Sequence, residues 1–78
     1  MRQKIIDWLK ANGTVYHEDF IEIIYYIMNG DCKLMFDITT GELSIIDYDS
    51  KGNILDVEIL DSDKKLQTAI QIFEICEN

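Results

Sequence analysis

The sequence predicts an α+β fold: an N-terminal helix, a four-stranded antiparallel β-meander and a C-terminal helix, with both helices packed on one sheet face. Three observations carry that expectation. Apolar residues recur at helical spacing near both ends, glycine-bearing turn sequences interrupt the middle three times, and apolar and polar residues alternate between those turns. The 78 residues, with no proline and no linker composition, are read as a single domain over 1–78.

The first helix is expected over 1–12, with Ile5, Trp8 and Leu9 on one stripe and Asn12-Gly13 as a left-handed stop. Residues 14–19, which hold the only histidine, His17, read as a polar connection. Residues 20–28 and 32–38 read as two strands hinged on Asn29-Gly30, a pair suited to a tight hairpin turn. That hinge pairs Tyr25 with Leu34, Ile23 with Phe36 and Ile21 with Ile38, all apolar and all on one face. Phe20, Ile23, Ile24 and Ile27 also fall at helical spacing, and the regular pairing decides for a strand.

Thr40-Gly41 opens a second turn that sets Phe36 against Ile45 and Met35 against Ile46. Residues 49–53 form a third, with Gly52 at the left-handed position, setting Tyr48 against Ile54, Ile45 against Val57 and Leu43 against Ile59. The last helix starts after the cap sequence Asp61-Ser62-Asp63 and runs through Cys76 with Leu66, Ala69, Ile70 and Phe73 on one stripe. The face that both helices cover is then Ile21, Ile23, Tyr25, Leu34, Phe36, Ile45 and Val57.

Fifteen acidic against seven basic residues give a net charge of -8. Between positions 18 and 63 stand twelve acids and only Lys33 and Lys51, a local charge of -10, while the flanks sum to +2. Such a field repels nucleic acid and anionic membrane and attracts basic surfaces. Direct nucleic-acid binding and membrane association are therefore not expected. No stretch is long and apolar enough for a membrane span, the N-terminus reads as an amphipathic helix rather than a secretion signal, and the two cysteines fall on core faces. A reduced, cytoplasmic protein is the expectation.

In the predicted register the uncovered face is not uniformly polar. Ile24, Met35 and Ile46 lie side by side, Tyr26 and Tyr48 flank Lys33 in the next row, and Met28 and Ile54 widen the patch. Scattered apolar residues on an open sheet are ordinary, whereas a contiguous patch rich in tyrosine, methionine and isoleucine marks an interaction surface. Beside it, Glu22, Asp37, Ser44 and Glu58 form a second row, three carboxylates around a hydroxyl. Like charges directly opposite are destabilising, which screening, a basic partner or a cation would relieve.

Residues 47–58, DYDSKGNILDVE, resemble the calcium-binding loop of EF-hand proteins. The resemblance implies Asp47, Asp49 and Glu58 as side-chain ligands and Asn53 as a carbonyl ligand. It departs from the pattern at Lys51, and a β-hairpin with Gly52 in its turn explains the same residues without calcium. No catalytic, nucleotide-binding or zinc pattern is present, so no enzyme activity, cofactor or metal is expected.

The functional expectation is a small acidic protein-binding module that docks Ile24, Tyr26, Met35, Ile46 and Tyr48, steered by Glu22, Asp37 and Glu58, onto another protein with a basic surface. Its narrowest form is an inhibitor that occupies a nucleic-acid-binding surface, as phage anti-defence proteins that mimic DNA do. The alternatives are a homodimer that spends the apolar face on its own copy and, less favoured, the calcium module.

Overall fold

The computed structural model describes residues 1–18 and 22–75. In chain order it holds α1 (Arg2–Asn12), β1 (Thr14–Glu18), β2 (Glu22–Asn29), β3 (Cys32–Asp37), β4 (Glu42–Tyr48), β5 (Ile54–Ile59) and α2 (Asp63–Ile72). The strands form one antiparallel sheet in the order β1-β2-β3-β4-β5. The class is α+β, but the sheet has five strands, not four.

The additional strand is β1, in the stretch expected to be a polar connection. It pairs with β2 from Thr14 opposite Tyr26 to Glu18 opposite Glu22. Thr, Val and Tyr suit a pleated backbone. Val15 and Tyr16 are exposed, so no apolar alternation announces the strand.

The end of α1 is set by close approach rather than by handedness. Gly13 is extended (φ -87°, ψ 177°), not left-handed, and its N–H donates to the Leu9 carbonyl at 2.7 Å. A Cβ there would stand 2.7 Å from both the Leu9 and Tyr26 carbonyl oxygens. Only glycine lets the helix turn straight into β1 alongside β2.

The β2–β3 hairpin turns on Gly30-Asp31, one residue later than expected. Asn29 pairs with Cys32, Tyr25 with Phe36 and Ile27 with Leu34. Gly30 has φ +61° at the first loop position, the glycine-first class of two-residue turn. Asn29, outside the loop, ties the hairpin to the last helix, its amide donating to the Ile72 carbonyl at the end of α2, at 2.8 Å. The β3–β4 connection is longer than expected, with Asp37 opposite Glu42 and Phe36 opposite Leu43. The Asp37 carboxylate accepts from the Thr39 N–H at 2.9 Å, and Gly41, at φ +74°, closes the loop. Both registers slip by two, so every residue keeps its expected face.

The β4–β5 hairpin begins as expected, Tyr48 opposite Ile54, and then bulges. Leu55 is the extra residue, so Asp47 meets Asp56, Ile46 meets Val57 and Ile45 meets Glu58. This shift of one inverts the faces. Val57, expected in the core, is 51% exposed on the far side. Leu60 takes a core place instead, 4% exposed, with its N–H on the Leu43 carbonyl at 2.9 Å.

One apolar cluster joins Ile5, Ile6 and Leu9 of α1, Leu66, Ala69 and Ile70 of α2, and Leu34, Phe36, Leu43 and Ile45 of the sheet. α1 lies directly against β2 and β3, and α2 packs beside α1. Among the described residues β5 is exposed along its whole length. Ser62 caps α2, its hydroxyl accepting from the Lys65 N–H at 3.4 Å. At the other end Glu74 is left-handed (φ 51°) and the Ile75 N–H reaches back to the Ile70 carbonyl at 3.0 Å, which stops the helix at Ile72. The helix expected through Cys76 therefore ends at Ile72, with 73–75 already outside it. Cys76 itself, Phe20 and Ile21 lie outside the described residues.

Candidate protein-contact face

Alternation along each strand sends one set of side chains toward the helices and the other to the open side of the sheet. The observed pairs assemble the open side in rows. Tyr16, Ile24, Asp37 and Glu42 form one. Thr14, Tyr26, Met35, Ser44 and Ile59 form the next, and Met28, Lys33, Ile46 and Val57 the third. Tyr48 and Ile54 close the turn end.

The five apolar residues expected at the site, Ile24, Tyr26, Met35, Ile46 and Tyr48, all lie on this open face. Ile24, Met35 and Ile46 run diagonally across it instead of side by side. Lys33 reaches between two rings, its Nζ 5.2 Å from the Tyr26 centroid and 5.3 Å from that of Tyr48. A cation over aromatic faces is held by their quadrupoles, which fixes the ammonium at the middle of the apolar surface. On one side of it lies a cleft of about 280 Å³ lined by Tyr16, Ile24, Tyr26, Lys33 and Met35. On the other, Met28, Asp31, Tyr48 and Asp49 border a wider depression of about 390 Å³. Ser44 is buried in its row, between Met35 and Ile59.

The expected acidic row is not assembled. Asp37 stands between Ile24 and Glu42, Ser44 between Met35 and Ile59, and Glu58 beside Ile45 on the opposite side of the sheet. The bulge removed Glu58, and the two-residue slips separated the rest. Carboxylates instead bracket the apolar rows, Glu22, Asp37 and Glu42 toward one end and Asp31 and Asp49 toward the other.

Asp49 serves its own turn. One carboxylate oxygen accepts from the Lys51 N–H at 2.9 Å and the Asn53 N–H at 2.8 Å, and the other from the Asn53 amide at 3.1 Å. The Asn53 backbone and side-chain donors hold its carboxyl below the usual aspartate range. Residues 47–58 are thus the end of β4, a hairpin turn and β5, not a loop between helices. Asp47, Asp49 and Glu58 are not gathered, and among the described residues no three His, Cys, Asp or Glu side chains stand close enough to hold a metal. On the helix side Cys32 is opposite Asp47. Burial, then the Asp47 carboxylate, pushes its thiol up to about 11, so it stays protonated and poorly nucleophilic at neutral pH.

Tyr16, Val57 and Ile59 are face residues that sequence reasoning missed. Leu60 carried the signal for the last two, since an apolar residue at the end of β5 reaches the core only if the strand shifts by one. No family model, curated protein or solved structure matches this chain. Among the described residues no helix is long and apolar enough to cross a membrane.

Proposed function

We propose that this chain is a non-enzymatic protein-binding module that docks its open sheet face onto a partner surface apolar at its centre and basic around it. The supporting observation is the continuity of that face: apolar and aromatic side chains from all five strands adjoin one another, with carboxylates at both ends. Tyrosine and methionine supply contact area, and the excess of acid steers a basic partner into place. Lys33, held between Tyr26 and Tyr48, requires an acceptor on the partner opposite it. Inhibition of a nucleic-acid-binding surface is the narrowest form of this reading. It draws on acidity alone, because Glu22, Asp37 and Glu58 share no row, and the geometry favours the broader form.

Solution mass by light scattering, across concentration and in low and moderate salt, is the first test. A monomer is expected. A dimer that persists at every concentration replaces this reading with the homodimer. The second test is affinity capture with Met35→Glu, Ile46→Glu and a Glu42→Lys, Asp31→Lys pair. Either face substitution should abolish retention of the partner, and the charge pair should weaken it most at low salt. Retention indifferent to all three sinks the proposal.

A further inference from the structure

We propose that β5 is an acceptor edge that takes an extended segment of another protein as a sixth strand, and that the segment it fits alternates basic and apolar side chains. Among the described residues β5 ends the sheet, so one row of its backbone groups has no neighbouring strand there. The Leu60 N–H donates inward to Leu43, and antiparallel alternation then turns the backbone groups of Val57 and Ile59 outward. The Ile59 carbonyl is taken by the Asp61 N–H at 3.0 Å, which leaves the Val57 and Ile59 N–H groups and the Val57 carbonyl facing outward. The bulge at Leu55 closes the other end, so the acceptor stretch is short.

Side-chain chemistry defines the occupant. On the open side β5 presents Val57 and Ile59, both exposed. On the other side it presents Asp56 and Glu58, with Asp47 directly opposite Asp56. Among the described residues no basic side chain forms an ion pair with Asp56 or Glu58. A strand laid along this edge places its side chains alternately beside the carboxylates and beside the apolar pair. Basic residues on one side and apolar residues on the other satisfy both. A second copy of this chain does not: an antiparallel pair of β5 strands matches residues of the same face, setting Asp56 and Glu58 against the same carboxylates. The acids that bar self-pairing are the ones that select a basic strand.

Edge pairing shares Val57 and Ile59 with the open face but rests on β5 backbone groups and on Asp56 and Glu58, which open-face docking does not use, so each fails separately. The probe is a short capped peptide alternating lysine and valine, titrated into the ¹⁵N-labelled full chain at low salt. Saturable binding is expected, with amide exchange at Val57 and Ile59 slowed about tenfold or more. A peptide of the same composition with lysines and valines in separate blocks, and one alternating glutamate and valine, should bind at least about tenfold more weakly. In an Asp56→Lys, Glu58→Lys variant the preference should invert toward the glutamate peptide. Met35→Glu should leave peptide binding unchanged. A lysine peptide methylated on its bonding-edge nitrogens keeps charge and apolar surface but loses the hydrogen bonds. Full affinity of that peptide, equal affinity of the three unmethylated ones, or protection elsewhere than β5 overturns the proposal.

Discussion

β3 and β5 are both six-residue strands rich in apolar residues, CKLMFD and ILDVEI, yet no residue of the first is exposed and every residue of the second is. Composition does not separate them; neighbours do. β3 has a strand on each side and α1 over it, whereas β5, among the described residues, has one neighbouring strand and is exposed along its whole length. The bulge completes the difference by handing the core position to Leu60 and turning Val57 and Ile59 to the open side. An apolar strand with so little cover points to contact rather than to stability.

The largest test of this contrast compares truncations. Leu34→Ala in β3, at a position with 0% exposure, should cost about 2–5 kcal/mol, while Val57→Ala in β5 should change stability by less than about 1 kcal/mol. Denaturant midpoints decide, and similar losses would erase the distinction. A sharper version uses adjacent residues. Leu60→Ala should lower stability by about 2–4 kcal/mol and Ile59→Ala by less than about 1 kcal/mol, whereas an unbulged strand reverses the order.

Smaller is the effect of Asn29→Ala, which removes the hydrogen bond to the Ile72 carbonyl but not the turn. A loss of about 1 kcal/mol is expected, with hydrogen exchange rising at the end of α2. Had Asn29 itself been in the turn, exchange would rise in the hairpin and not in the helix. The last effect is alkaline. The Cys32 thiol is raised from 9.0 to about 11, so the folded state holds its proton longer than the unfolded one. Stability from this group is complete below pH 9 and falls as pH rises toward about 11. The wild-type chain should lose more across that window than Cys32→Ala, measured by urea midpoints.

How far the sequence was legible follows the same line. Period-two alternation assigned Tyr25, Leu34, Phe36, Leu43 and Ile45 to one face without knowledge of the register, because slips of two leave faces unchanged. The register itself was degenerate: Tyr25 meets an apolar partner whether it faces Leu34 or Phe36, and Gly30 serves either turn. Leu55 is invisible as a bulge, being apolar in an apolar strand, and its single-residue shift moved Glu58 off the expected site. β1 was silent because an edge strand with exposed residues needs no apolar period. The end of α2 hid because Glu74 takes a left-handed place that glycine usually marks. At the candidate site the apolar members were readable and the acidic row was not. The row needed every register at once, whereas face membership needed only the parity of each strand.

The order of strands in the sheet has a consequence for how fast the protein is made. Each strand pairs with the one before it in the chain, so the sheet can assemble by successive short loop closures, each with a small entropic penalty. The expensive closure is the one that brings α2 to α1, elements separated by the whole meander. Rapid folding for a mixed α and β chain is expected, with its two ends meeting across the finished sheet as the most remote contact to be formed.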